Sequence, residues 1–145
     1  MASVAYDAAE KYSADTTAEN YLLFYQHSNG DIRKLVYNQS EWHSSELVTN
    51  NARLGTGLSV VQFGPVPTLI YLYYIDKEGY LQELRGTHGS NDWTPGTLGE
   101  GRFKAVDTYS ALSANYIGSC KDRGDISGEI GWVYYESVRI TYLIP

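Results

Sequence analysis

The feature that most constrains this chain is an internal repeat. The segment Tyr21-Leu-Leu-Phe-Tyr-Gln-His-Ser-Asn-Gly-Asp-Ile-Arg-Lys-Leu aligns without a gap on Ile70-Tyr-Leu-Tyr-Tyr-Ile-Asp-Lys-Glu-Gly-Tyr-Leu-Gln-Glu-Leu, and the glycines Gly30 and Gly79 set the offset at 49 residues. Apolar positions hold their register on both sides of the glycine. Phe24 and Tyr25 fall on Tyr73 and Tyr74, Ile32 on Leu81, and Leu35 on Leu84. Each copy therefore reads as two antiparallel strands joined by a tight turn, Ser28–Asp31 in the first and Lys77–Tyr80 in the second, with glycine supplying a positive φ.

Further strands extend each hairpin into a four-stranded unit. Trp42 follows its turn glycine by 12 residues and Trp93 by 14, which predicts a closing strand around each tryptophan. Apolar stretches at Leu58-Ser-Val-Val-Gln-Phe and Phe103-Lys-Ala-Val-Asp-Thr-Tyr read as innermost strands of the second and third copies, and Ser3-Val-Ala-Tyr-Asp as that of the first. In the third copy Trp132-Val-Tyr-Tyr-Glu resembles Tyr71-Leu-Tyr-Tyr-Ile, and Val138-Arg-Ile-Thr-Tyr-Leu-Ile supplies another strand without a closing tryptophan. A period near 50 residues with strands in fours predicts an all-β chain of about three β-propeller blades, at roughly 1–50, 51–100 and 101–145 of one domain, 1–145. Propellers close with about four to eight blades. Three blades imply either association, two chains making six blades as a homo-oligomer, or a share of a longer propeller.

Composition supports a packed β-protein and excludes several partners. Hydrophobic residues make up 43% and charged residues 19%, with 14 Tyr and 14 Gly, as expected of strands joined by tight turns. The net charge of −6 repels phosphate backbones and anionic bilayers, and the adjacent pair Arg33-Lys34 points to opposite faces of a strand. Neither nucleic acid nor a membrane is an expected partner. There is no basic, apolar leader and no apolar run of about 18 residues. With Cys120 as the single cysteine no intrachain disulfide forms, so the expected location is cytoplasmic or non-classically released, and the sequon at Asn38-Gln39-Ser40 is expected to be idle.

The hairpin-plus-tryptophan pattern resembles the Aleuria-type fungal fucose lectins, whose repeat reads Arg-x-Tyr, five residues to Gly, x-Ile-x-Glu, then a tryptophan strand. The matching residues are Tyr25, Gly30, Ile32 and Trp42, then Tyr74, Gly79, Leu81, Glu83 and Trp93. The resemblance implies a lectin-like propeller that binds a carbohydrate, fucose or a related sugar. In such a site arginine and glutamate fix the hydroxyls and aromatics cover the apolar sugar face. Carried over, it nominates Glu83 as the acceptor, with Trp42, Trp93, Tyr37 and Tyr71 as ligand-contacting aromatics. Lys34 stands at the glutamate position of the first copy, and the arginine falls at Leu23 and Leu72. These leucines open a second reading, in which the scaffold holds an apolar small molecule and acts as a biosynthetic enzyme by shaping its substrate.

No catalytic constellation, cofactor motif or metal site is expected. His27, His43 and His88 lack the spacing of a zinc site, and Asp76-Lys-Glu-Gly is read as a hairpin turn rather than half of a calcium loop. Arg33, Arg85, Arg102 and Arg139 remain possible donors from neighbouring strands. The Asp122-Arg-Gly-Asp-Ile-Ser-Gly-Glu segment reads as an exposed loop.

Overall fold

The computed structural model describes residues 21–38, 41–43, 45–63, 69–87, 89–105, 111–117 and 130–135. The first hairpin pairs β1 (Tyr21–Gln26) with β2 (Ile32–Asn38). The outer edge of β2 carries two short strands, β3 (Glu41–Trp42) at its end and β4 (Glu46–Thr49) at its start. The second blade is a complete antiparallel sheet of β5 (Ser59–Phe63), β6 (Leu69–Ile75), β7 (Leu81–Thr87) and β8 (Thr94–Pro95), in that order. In the third region β9 (Leu112–Ile117) pairs antiparallel with β10 (Ile130–Tyr135).

The 49-residue repeat reappears as a repeat of hydrogen bonds. In the first turn His27 N–H donates to Asp31 O at 2.7 Å and Gly30 N–H to His27 O at 2.9 Å; in the second, Asp76 N–H donates to Tyr80 O at 2.9 Å and Gly79 N–H to Asp76 O at 3.0 Å. Gly30 and Gly79 adopt φ of 96° and 89°. A Cβ disfavours this region by about 1–2 kcal/mol, so Gly30→Ala and Gly79→Ala are each expected to cost about that much. Urea unfolding checks this, and a loss at one turn alone would break the equivalence. The Asp76-Lys-Glu-Gly segment is indeed a turn: Asp76 is buried, its Oδ1 accepts from the N–H groups of Glu78 and Tyr80, and its Oδ2 accepts from Gln82 Nε2 at 2.7 Å.

Strand alternation sorts side chains onto two faces of each blade. Leu22, Phe24 and Ile32 of the first blade meet Leu58, Ile70, Leu72, Tyr74 and Leu84 of the second, with Ala52 between them and Val36, Val48, Val60 and Trp93 at the margin. The other face of the second blade presents Tyr73, Ile75 and Leu81, which with Ala105, Leu98 and Phe103 meet Leu112 and Ala114 of β9. The core thus lies between sheets stacked face to face. Ala114 N–H donates to Ser59 Oγ at 2.8 Å, tying the inner strands β5 and β9 together.

One expected strand is displaced. The inner strand of the third region is β9, not the segment beginning at Phe103. Phe103 O accepts from Leu81 N–H at 2.8 Å and Ala105 N–H donates to Gly79 O at 2.9 Å, so this stretch finishes the outer edge of the second blade. Its apolar alternation is real, but Ala105 is buried against the second blade's own Tyr73, Ile75 and Leu81. The expected strands at Ser3–Asp7 and Val138–Ile144, the loop from Asp122, Cys120 and Arg139 lie outside the described residues. Among the described residues no helix is long and apolar enough to cross a membrane.

Candidate functional site

The strand register decides which nominated residues share a surface. Across β6 and β7, Tyr73 pairs with Glu83 and Tyr71 with Arg85, so all four lie on the face turned toward β9. The positions aligned with the family arginine lie elsewhere. Leu72 pairs with Leu84 and is wholly buried on the opposite face, and Leu23 is likewise opposite Lys34, because Lys34 pairs with Phe24. An arginine at either leucine would point away from the acidic position. The same-face neighbours are Leu22 and Tyr71, and Arg85 brings a guanidinium to the Glu83 face from β7 itself.

Glu83 is held at every side. Its carboxylate accepts from the Tyr73 hydroxyl and from the backbone N–H groups of Thr97 and Leu98, and Arg85 lies close enough to favour its charge. These amides belong to the short 3-10 helix Thr97–Gly101 that crosses the blade after β8. Gly96, just before that helix, donates its N–H to Glu83 O at 2.8 Å and lies against the Glu83 side chain. Burial nonetheless outweighs these donors and holds the Glu83 carboxyl above the usual carboxylate range, while burial and the adjacent Glu83 push the Tyr73 phenol up. A raised carboxylate value means that ionisation of Glu83 opposes folding: its favourable contribution is complete below the unfolded-state pKa and is lost as pH rises through the folded one.

At Lys34 the equivalent position of the first blade does something different. Lys34 is buried, and its Nζ donates to Ser90 O at 2.9 Å and pairs with Glu46 Oε2 at 2.9 Å. Ser90 belongs to the loop after β7, so this lysine ties the first blade to the second. Asn91 Nδ2 adds a second tie, donating to Leu47 O at 3.3 Å.

The two tryptophans diverge for a reason visible one residue class away. Trp93 lies flat against Gly86 and meets Phe24 edge-on at 5.7 Å and 86°, so it packs between blades. In the first blade the position equivalent to Gly86 is Tyr37, which occupies that space, and Trp42 rests tilted on it at 5.2 Å with 54% of its surface exposed. Tyr37 and Trp42 lie on the face of the first blade turned away from the second. The five nominated residues therefore occupy three places: Glu83 with Tyr71, Trp93 in the interface, and Tyr37 with Trp42. Sequence reasoning missed the roles of Tyr73, Gly96 and Lys34; the two-residue spacing of Glu83 and Arg85 on one strand was the available signal for the former face. Arg33 is half-buried beside Asp31 at 3.7 Å, and His27 and His43 are exposed.

Four-stranded antiparallel blades, stacked face to face and related by a 49-residue repeat, define a propeller of which this chain supplies part. The sequence profile of the family described as fungal fucose-specific lectin matches residues 9–123, and the chain belongs to that family. Among solved structures, a triple arginine-to-alanine mutant of AofleA from Arthrobotrys oligospora is similar at 27% identity and a TM-score of 0.62, over 80% of this chain and 31% of that one. The lectin of Aleuria aurantia, described as a six-bladed β-propeller with a novel fucose recognition mode, is similar at 20% identity and a TM-score of 0.64, over 91% of this chain and 46% of that one. SapL1 lectin in complex with alpha methyl fucoside gives 16% identity and a TM-score of 0.57, over 81% and 35%. This chain thus spans less than half the length of these structures. No curated protein matches it.

Proposed function

We propose that this chain is a carbohydrate-binding, non-enzymatic lectin whose site for fucose or a related sugar lies on the Glu83 face of the second blade. The observation that carries the reading is the fixed carboxylate. Tyr73 and the Thr97 and Leu98 amides brace the Glu83 carboxylate, so it meets a sugar hydroxyl already oriented, which lowers the cost of reorganisation on binding. Arg85, exposed and also donating to Pro95 O at 3.3 Å, supplies the charged donor absent from the motif position, and Tyr71 lies beside it as an apolar surface. The apolar-ligand reading has less support: Leu72 is consumed in the blade interface, and Leu23 lies on a different blade face, so the two do not line one cavity.

Ring closure is the second part of the proposal. Trp93 packs on Phe24 of the preceding blade, and Trp42 is its repeat counterpart, so an aromatic residue of another blade is the natural cover for the Tyr37–Trp42 pair. A second copy of the chain, giving six blades from about three each, or further blades of a longer chain, would supply it.

Calorimetric titration with alpha methyl fucoside tests the sugar site. Glu83→Ala is expected to weaken binding at least tenfold, about 1.4 kcal/mol, with the β-sheet circular dichroism retained. Binding unchanged in Glu83→Ala would remove the site from this face, and failure of the wild-type chain to bind would remove fucose as the ligand.

A further inference from the structure

Although the chain is acidic overall, the fold gathers basic side chains at one place that the sequence keeps apart. The β6–β7 turn is their centre. The Arg102 guanidinium carbon lies 4.6 Å from the centre of the Tyr80 ring and Lys104 Nζ lies 5.3 Å from it. On the same turn, Lys104 Cε and Arg53 Nη1 come within 3.7 and 4.0 Å of where a Cβ on Gly79 would stand. Arg102 and Lys104 are exposed and make no ion pair among the described residues. Two acids belong to the turn: Asp76 is buried and turned inward onto the turn amides and Gln82, and Glu78 is exposed and acts electrostatically on both Tyr80 and Arg102.

Arg102 is held there in an uncommon backbone conformation. At φ 50° and ψ 44° it is the one non-glycine residue with positive φ among the described residues, and it caps the 3-10 helix by donating its N–H to Gly99 O. Glycine or asparagine ordinarily fills such a cap, because a longer side chain with a Cβ is disfavoured there. The cap conformation directs the Arg102 side chain over the Tyr80 ring. Arg102, through hydrogen bonding and charge, and Lys104 through charge hold the Tyr80 phenol below the ordinary tyrosine range, outweighing the opposing carboxylate of Glu78. The phenol lies in a locally positive field.

We propose that Arg102 and Lys104, arranged around Tyr80 on the β6–β7 turn with Arg53 beside Gly79, form a binding site for a single oxyanion group, of the kind carried by a sulfated or phosphorylated saccharide. The planar guanidinium gives paired donors to a tetrahedral anion and the ammonium adds a point charge. The Tyr80 ring is the platform over which both cations lie, and it sets their spacing. The net charge of −6 limits the ligand to one anionic group rather than a polyanion, because the remaining surface repels extended negative charge. The short helix Thr97–Gly101 begins at the amides that cap Glu83 and ends at Arg102.

The test is an amide-resolved NMR titration at constant ionic strength with four probes: inorganic sulfate, inorganic phosphate, galactose 6-sulfate and neutral galactose. Saturable shifts at Gly79, Tyr80 and Arg102–Ala105 are expected with the anionic probes and not with galactose. Tighter binding of galactose 6-sulfate than of sulfate identifies a saccharide ligand; equal affinities identify the free anion, and both support the oxyanion site. Lys104→Ala should weaken sulfate binding at least fivefold. Arg102→Gly should do the same while leaving Tm unchanged or higher, since it relieves the backbone conformation. Shifts that do not saturate, that occur elsewhere, or that persist unchanged in both variants overturn the proposal, as does an Arg102→Gly protein with full sulfate affinity. Glu83→Ala should keep sulfate binding intact, which separates this site from the neutral-sugar site.

Discussion

Replacing Gly96 with alanine is expected to destabilise the protein by about 3 kcal/mol, a loss out of proportion to one methyl group. The reason is local. An added Cβ would overlap Glu83 Oε1 and come within 2.5 and 2.6 Å of Cδ and Cγ, so no small swing of the carboxylate makes room. Either the carboxylate leaves the Tyr73 hydroxyl and the Thr97 and Leu98 amides, or the segment carrying those amides lifts off the blade. The first leaves the buried Tyr73 hydroxyl without its acceptor, and both break hydrogen bonds to a half-buried carboxylate, each loss costing about 1–3 kcal/mol. A double-mutant cycle isolates the cause. With Glu83→Ala already in place the overlap is gone, and Gly96→Ala should then cost well under about 1 kcal/mol, giving a coupling of about 2–3 kcal/mol. Additive losses in urea unfolding would show that Gly96 matters through its backbone rather than through Glu83. The same variant bears on function, because expelling Glu83 from its cradle should abolish fucoside binding as completely as deleting it.

The blades were legible in the sequence because their information is local. A hairpin needs two alternating strands and a turn, all within fifteen residues, and the glycines fix the register of Phe24 on Tyr73 and Ile32 on Leu81. Outer strands were less legible. The Phe103 segment carries an apolar alternation that suits any strand, and only the space beside Gly79 and Leu81 determines that it edges the second blade rather than opens the third. The site was harder still, because faces are a two-residue parity. Equating a motif arginine with Leu72 instead of its neighbour moves it to the far side of the sheet, where Leu84 and Ile70 leave it no route to Glu83. Gly96, Thr97 and Leu98 meet Glu83 through backbone atoms, which leave no trace in residue identity.

Lys34 carries the second large expectation, and its direction is counter-intuitive: removing its exposed partner should cost more than removing the lysine's charge. Glu46 is 43% exposed at its side chain whereas Lys34 is 4% exposed. Glu46→Ala leaves a buried ammonium with Ser90 O as its one remaining polar contact among the described residues, and should cost about 2–3 kcal/mol, below the roughly 3–5 found for fully enclosed pairs because water can approach from the Glu46 side. Lys34→Met keeps the stem packed beside Phe24, removes the charge, and frees Glu46 to hydrate, so it should fall within about 1 kcal/mol of wild type. In the doubly substituted protein the Glu46→Ala penalty should vanish. A penalty for Lys34→Met as large as that for Glu46→Ala would mean the tie to Ser90 O, not the ion pair, holds the blades. The comparison also separates the two blade interfaces by purpose. Where the second blade has an acid braced by Tyr73 and the Thr97 and Leu98 amides, the first has a lysine closed onto the neighbouring loop, so Lys34→Met is expected to leave fucoside and sulfate binding unchanged.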